Sequence, residues 1–131
     1  MINKNDLNDY FISGIKHKKN LKIGVEHEKF ILDKDTLLPR NYDEINGIRD
    51  ILDKLSTIGW VPAYDDNQKT IVALTKDKES ITLEPGGQIE LSGAPLDNIH
   101  ETCEETTHHL GELKKLGEEF NFILLGMGVE P

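Results

Sequence analysis

Four glutamates in two short stretches have the residue type and the spacing to do chemistry. Glu26 and Glu28 stand two residues apart, and Glu84 and Glu90 flank Pro85–Gly87 at an even spacing. Carboxylates two residues apart on a strand lie on one side and repel each other unless a cation or hydrogen-bond donors lie between them. Oxygen ligands alone favour Mg²⁺ or Mn²⁺. Because Mg²⁺ readily bridges nucleotide phosphates, the pattern indicates phosphoryl transfer.

The stretch Ser80–Pro95 must position the second pair. Apolar and polar residues alternate on both sides of Pro85–Gly87, as in half-buried strands. Proline cannot donate to a sheet ladder and paired glycines permit positive φ, so we predict a strand that is interrupted by a bulge or sharp bend and then resumes. An intact strand would place Glu84 and Glu90 on one face, whereas a one-residue bulge would separate them. The alternative is an amphipathic hairpin with solvated glutamates.

The first pair lies in a predicted strand over Lys22–Leu32, where Phe30 shares the face of Glu26 and Glu28. An aromatic residue on that side indicates a face that is at least partly covered, although a solvent-exposed face would also tolerate the two charges. If this strand pairs with the second stretch, the four carboxylates surround a shared space, since neighbouring strands lie about 4.8 Å apart. The sequence contains no Walker motif that would support a P-loop instead.

The remaining segments predict an α+β fold in which an antiparallel sheet has helices packed on one face. Short polar turns join the predicted strands, which favours antiparallel neighbours. Helical periodicity, capping residues and turn residues define the other elements. These are a helix capped at Asn5 or Asp6, a helix from a capping box at Asn41 to a stop at Gly59, strands at Trp60–Tyr64 and Ile71–Thr75, and a helix over Asp97–Phe120.

The third predicted helix contains the other residues that could attract a functional assignment. Its apolar seam includes Cys103, which is therefore predicted to be a buried packing residue. His100, Glu104 and His108 stack at four-residue spacing and could hold a transition metal. Glutamates surround them, so we favour a solvated acidic face.

Composition limits the class of protein. The 131 residues carry a net charge of −9, which argues against binding a nucleic-acid backbone. The longest apolar run, Phe122–Val129, is far too short to span a bilayer. The single cysteine excludes an internal disulfide and indicates a reducing compartment, which we take to be the cytoplasm.

Two motifs carry a family resemblance. Glu26–Phe30 followed by Leu83–Pro95 resembles glutamate–cysteine ligase, closest to the type found in plants and many bacteria. The likeness runs from Lys22 to the end of the chain. It includes the helix around His100–Cys103 and the strand that ends at Gly126–Gly128.

The resemblance implies a glutamine-synthetase-like catalytic fold whose open sheet face binds ATP, Mg²⁺ (or Mn²⁺) and the substrates glutamate and cysteine. It implies that ATP phosphorylates the γ-carboxylate of glutamate and that the amine of cysteine then attacks the acyl phosphate, the first step toward glutathione. On this template the metal ligands are Glu26, Glu28, Glu84 and Glu90, and Gln88 is a candidate for the substrate pocket.

The resemblance also implies that the chain is incomplete. Family members are considerably longer, so residues 1–131 are expected to be the N-terminal portion of one catalytic domain, inactive alone, with a surface open to self-association or to the missing C-terminal part. The only arginines are Arg40 and Arg49, outside the motif strands. A related ligase with another amine acceptor and a non-catalytic module that binds a divalent ion or a partner remain alternatives.

Overall fold

The sheet is the frame on which every other element is arranged. The computed structural model describes residues 2–129. Three α-helices, a short 3₁₀ turn at Lys18–Asn20 and six strands follow in the chain. They are α1 Lys4–Ser13, β1 Glu26–Asp33, α2 Ile48–Ser56, β2 Val61–Tyr64, β3 Ile71–Lys76, β4 Glu79–Glu84, β5 Gln88–Ser92, α3 Ile99–Phe120 and β6 Phe122–Leu125. The strands lie in the order β2-β3-β4-β5-β1-β6 and every neighbouring pair is antiparallel. The predicted α+β class with an antiparallel sheet is confirmed.

The core lies on one face of the sheet, where α2 and α3 pack. Strand alternation sends Leu74, Ile81, Ile89 and Leu91 toward these helices, and all four are fully buried or nearly so. The helices contribute an apolar stripe to the same cluster, namely Ile48, Ile51, Leu52, Leu55, Leu113 and Leu116. The opposite face is therefore free of helices α2 and α3, which is where a site can form.

A hairpin replaces the interrupted strand predicted for Ser80–Pro95. Gly86 and Gly87 have φ of 83° and 75°, and the Gly87 amide donates to the Glu84 carbonyl at 3.0 Å. Two consecutive residues in a conformation that glycine adopts freely reverse the chain completely. β4 and β5 therefore pair with Glu84 opposite Gln88. The prediction of a resumed strand was wrong, and the hairpin alternative describes the path of the chain.

The first helix forms without joining the core. A capping box between Asn3 and Asp6 starts α1, rather than a cap at Asn5 or Asp6. The helix ends at Ser13 and buries none of its residues, so the prediction that it packs on the sheet was wrong. Its apolar side chains, whose helical spacing predicted the helix, are exposed, including Tyr10 and Phe11.

The second helix begins later than the capping pattern predicts. Asn46 adopts a left-handed conformation with φ of 57°, which interrupts helical geometry, and Gly47 becomes the N-cap. Asn41 donates its amide to the Glu44 carboxylate at 2.9 Å instead of capping a helix. A capping box requires backbone partners, and here the two side chains bond to each other.

The third helix presents a different face to the core from the one predicted. Asn98 caps it, one residue after Asp97, and its buried residues include Thr102, His109 and Leu113. Cys103 is exposed, so its assignment as a packing residue was wrong. The exposure of His100, Glu104 and His108 is as predicted. None of the described helices is apolar over a length that would cross a membrane.

Replacement of two glycines of α3 by alanine is expected to change the free energy of unfolding in opposite directions. A Cβ on Gly117 would lie 2.8 Å from the Phe122 carbonyl oxygen, where the helix end packs closely on β6, whereas a Cβ on Gly111 meets nothing within 4 Å. Gly117→Ala is expected to lower the free energy of unfolding by about 1–3 kcal/mol through overpacking. Gly111→Ala is expected to raise it by about 0.5–1 kcal/mol through helix propensity. Urea unfolding of both variants measures the contrast, and a gain at Gly117 would show that this contact is not tight.

Candidate functional site

The structure brings all four predicted glutamates to the open face of the sheet. In the pairing of β1 with β5, Glu28 lies directly opposite Glu90. In the β4–β5 hairpin, Glu84 lies opposite Gln88, two positions along the same face from Glu90. Glu26 is two residues from Glu28 on the same side of β1. The neighbouring strands β4, β5 and β1 therefore bring four carboxylates to one patch, which we call the carboxylate face.

The carboxylate face differs in solvent access from one glutamate to the next. Glu90 is only 8 % exposed, whereas Glu26 and Glu28 are exposed. The Ser92 hydroxyl donates to Glu90 Oε1 at 2.9 Å, and the Thr82 hydroxyl donates to Oε2 at 3.4 Å. Glu90 is thus fixed by its neighbours, and the alternative of a hairpin with solvated glutamates is wrong for this residue.

The electrostatics of the carboxylate face show that its charges act on each other. The pKa of Glu84 is raised above its ordinary value, first by a hydrogen bond with Glu90, then by burial, and then by the negative charges of Glu90, Glu28 and Glu26. Like charges this close disfavour the ionised form. A cation placed among them would remove that repulsion.

A short segment forms a wall beside the carboxylate face. Gly126–Gly128 follows β6 and, together with Glu26 and Glu28, lines an open cavity of about 390 Å³. We call this segment the strap. Gln88, which is 5 % exposed, donates its side-chain amide to the Met127 carbonyl at 2.8 Å. Gln88 was predicted to belong to a substrate pocket; it is not among the described residues that line this cavity, and it reaches the cavity only through its bond to the strap.

Gly126–Gly128 was predicted as the end of a strand, but β6 ends at Leu125, and the bond between the strap and Gln88 was not predicted. Gly126 and Gly128 directly follow the last strand, and this glycine spacing after a strand of an open sheet is the signal that could have been used. Among the described residues that line the carboxylate cavity there is no lysine or arginine.

Both arginines are occupied elsewhere. Arg40 Nη2 donates to Asp33 Oδ2 at 2.7 Å and to the Phe120 carbonyl at 3.4 Å, so it ties β1 to the end of α3. Arg49 pairs with Asp43 on the surface. Neither lines the cavity, and the expectation that the arginines lie outside the motif strands is confirmed.

The donor chemistry of the carboxylate face fits a hard divalent cation, although the side chains are not set around one point. Within residues 2–129, no three His, Cys, Asp or Glu side chains are already grouped as a ligand set. Glu90 is held in place, while Glu26 and Glu28 are exposed and free to turn toward it. All of the donors are carboxylate oxygens, which suit Mg²⁺ or Mn²⁺ and not a softer metal.

A second cavity of similar volume lies elsewhere and is mainly apolar. It measures about 400 Å³ and lies between α3 and β6, where Leu110, Leu113, Phe122 and Leu124 contribute to its lining. None of the predicted site residues is among the described residues that line it.

The fold and this site define an α+β domain with a carboxylate-rich open sheet face. Residues 22–131 match the family model described as Glutamate-cysteine ligase family 2. The chain therefore belongs to this family, as the resemblance of its two motifs implied.

Several plant proteins are similar to nearly the whole chain. It is 47% identical over 131 residues to glutamate–cysteine ligase B, chloroplastic, of Oryza sativa subsp. japonica, with 99% of this chain and 25% of the relative covered. It is 42% identical over 134 residues to the chloroplastic enzyme of Solanum lycopersicum and 41% identical over 134 residues to that of Arabidopsis thaliana, each covering 99% of this chain and 24% of the relative. The chain thus spans about a quarter of the length of these relatives.

Proposed function

We propose that this chain supplies the carboxylate wall of an ATP-dependent glutamate–cysteine ligase. The reaction joins the γ-carboxylate of glutamate to the amine of cysteine through a γ-glutamyl phosphate, and it begins glutathione synthesis. The placement of Glu26, Glu28, Glu84 and Glu90 on one face carries this proposal. Membership of the family supports the reaction class.

The four glutamates are the proposed ligands of Mg²⁺ or Mn²⁺. The bound ion would supply the positive charge that lets an anionic nucleotide approach an anionic substrate. Glu90, fixed by Ser92 and Thr82 and paired directly opposite Glu28, provides a rigid ligand on the same face. Glu26 and Glu28 lie at the rim of the cavity and can adjust to the ion. No lysine or arginine among the described lining residues can take over this role.

The surroundings of this wall are part of the proposal. We infer that the sheet belongs to a glutamine-synthetase-like catalytic fold and that residues 1–131 form one portion of that domain. The chain alone is expected to be inactive, because phosphoryl transfer needs cationic groups around the phosphates and both arginines are bonded elsewhere. Self-association, or association with the remaining part of a family enzyme, would complete the site. The proposed location is the cytoplasm; the plant relatives are named chloroplastic.

A non-catalytic module that binds a divalent ion is the second candidate function. The observation that favours it is the cavity itself, which offers carboxylates for a cation and, among its described lining residues, no positive side chain for a triphosphate. This module would bind Mn²⁺ and would make no product in any assembly.

A chimera distinguishes these functions. The matched quarter of the rice ligase B is replaced by this chain, and the chimera and the isolated chain are incubated with glutamate, cysteine, ATP and Mg²⁺. Mass spectrometry is expected to detect γ-glutamylcysteine from the chimera, to detect none from the isolated chain, and to show its loss on Glu84→Gln. A folded chimera that binds Mn²⁺ without forming product would favour the binding module. In a parallel incubation, other amino acids replace cysteine, and product formed only there would identify a related ligase.

A further inference from the structure

The strap leaves the sheet at the point where the carboxylate face begins. Leu125, the last residue of β6, pairs with Phe30 of β1. If β6 continued in the same register, Gly126 and Met127 would pair with Lys29 and Glu28 along the free edge of β1. The strand ends instead, and Gly126–Gly128 lines the cavity beside Glu26 and Glu28.

One long-range hydrogen bond joins the strap to the sheet where it departs. Gln88 belongs to β5, which lies on the other side of β1 from β6. Its side-chain amide nevertheless reaches the Met127 carbonyl at 2.8 Å, so the bond crosses β1 on the open face. Gln88 is only 5 % exposed, and Phe30 on the same face is 3 % exposed. A buried amide that bonds a carbonyl across a neighbouring strand fixes the position of that carbonyl.

The two glycines of the strap are not required by the fold. Neither Gly126 nor Gly128 is among the glycines with positive φ, and a Cβ on either would meet no atom of the described residues within 4 Å. Glycine costs conformational entropy wherever it is not needed. What the missing side chains do provide is free space in the cavity beside Glu26 and Glu28.

From these contacts we infer that Gln88 is a positioning residue that holds the strap as the wall of the metal cavity, and that Gly126 and Gly128 keep this wall bare for the cation and its oxyanion ligand. The inference rests on the proposed function for the presence of the cation, and on the structure alone for the bond between Gln88 and Met127. Gln88 acts through the strap and does not itself contact the ion.

The test follows the distance between the strap and a bound ion. The chain has two methionines, so ¹³C-methyl labelling gives two signals, and Met127→Leu assigns that of Met127. Mn²⁺ bound to the carboxylate face is expected to broaden the Met127 methyl signal strongly. In Gln88→Leu the broadening should fall several-fold, while the Kd for Mn²⁺ stays within about twofold, because the glutamates are untouched. A role for Gln88 in stability alone would change neither quantity in a folded chain.

Control variants and a metal-free measurement test the role of Gln88 separately from the metal site. Ser80→Ala alters a side chain of the neighbouring strand β4 on the same face and should leave the Met127 signal unchanged. Gln88→Asn, too short to reach the strap, replaces Gln88→Leu if that variant is unfolded. Without metal, the amide shifts and hydrogen exchange of Gly126–Gly128 should differ between wild type and Gln88→Leu. If the wild type did not bind Mn²⁺, the metal site would be refuted. The amide shifts and hydrogen exchange measured without metal would still decide the role of Gln88. Unchanged broadening and unchanged strap amides in the variants would overturn the inference.

Discussion

Replacement of Glu84 or Glu90 by glutamine is expected to abolish turnover of the chimeric ligase and to weaken Mn²⁺ binding by this chain at least about 10-fold. Residues that only support a metal ligand typically contribute 10–100-fold to affinity or activity, so loss of a direct ligand should cost at least this much. Glutamine keeps the size of the side chain and one oxygen, but it removes the charge that the cation requires. Isothermal titration with Mn²⁺ and the mass-spectrometric assay measure the two effects.

The same substitutions are expected to leave the metal-free fold intact or more stable. Glu90 lies opposite Glu28, and like charges directly across a pair of strands destabilise it. Removal of one charge should therefore raise the free energy of unfolding by about 0–1 kcal/mol in metal-free buffer. Affinity and stability would then change in opposite directions, which a simple loss of structure cannot produce.

Glu79→Gln is the matched control for this prediction. Glu79 begins β4, five residues before Glu84, and alternation places it on the face covered by α3, where Glu105 and Lys76 are its neighbours. This variant removes the same charge from the same strand, so its affinity for Mn²⁺ should match that of the wild type. Unchanged affinity and turnover in both Glu84→Gln and Glu90→Gln would refute the assignment of these residues as ligands.

The shared face of the glutamates followed from their even spacing only because the turn contains three residues. In the hairpin, Glu84 is opposite Gln88, so residues at even spacing still point to one side. An uninterrupted strand would have the same parity, whereas a one-residue bulge would have separated Glu84 from Glu90. The pairing of β1 with β5 is a long-range contact that the sequence raised only as a condition, and the structure provides it.

The phase of α3 could not be predicted from its periodicity. A spacing of three and four residues fits two stripes that differ by one position, and the more apolar stripe contains Cys103. The structure selects the stripe with Thr102 and His109. Thr102 satisfies its hydroxyl with the Ile99 carbonyl at 2.9 Å, which lowers the cost of burial. Contacts with the sheet decide such a choice, and a single sequence does not contain them.

Among the residues that this phase of α3 buries, His109 is expected to have the largest effect on the free energy of unfolding. The side chain is 3 % exposed and its Nδ1 has no hydrogen-bond partner among residues 2–129. Burial lowers the pKa of His109 from its ordinary value of 6.5 to about 4. The positive charge of Lys29, with His27 and His108, acts in the same direction, and Glu112 opposes it. The folded chain therefore favours the neutral form of the His109 imidazole.

Because the pKa of His109 is lower in the folded chain than in the unfolded chain, its contribution to stability is fully present above pH 6.5 and is lost as the pH falls toward 4. Each pKa unit corresponds to about 1.4 kcal/mol, so protonation of the unfolded chain should remove about 3 kcal/mol across this window. About 2 kcal/mol of that loss is expected between pH 7.5 and pH 5.

His109→Gln isolates this effect, because glutamine is neutral throughout the window. Urea unfolding at pH 7.5 and pH 5 should show a loss in the wild type that exceeds the loss in His109→Gln by about 2 kcal/mol. His100→Gln, at an exposed position of the same helix, should lose as much as the wild type. Carboxylates that titrate in this range are common to all three proteins and cancel in the difference. An equal loss in wild type and His109→Gln would therefore assign the acid sensitivity to those carboxylates and would show that the buried imidazole does not carry it.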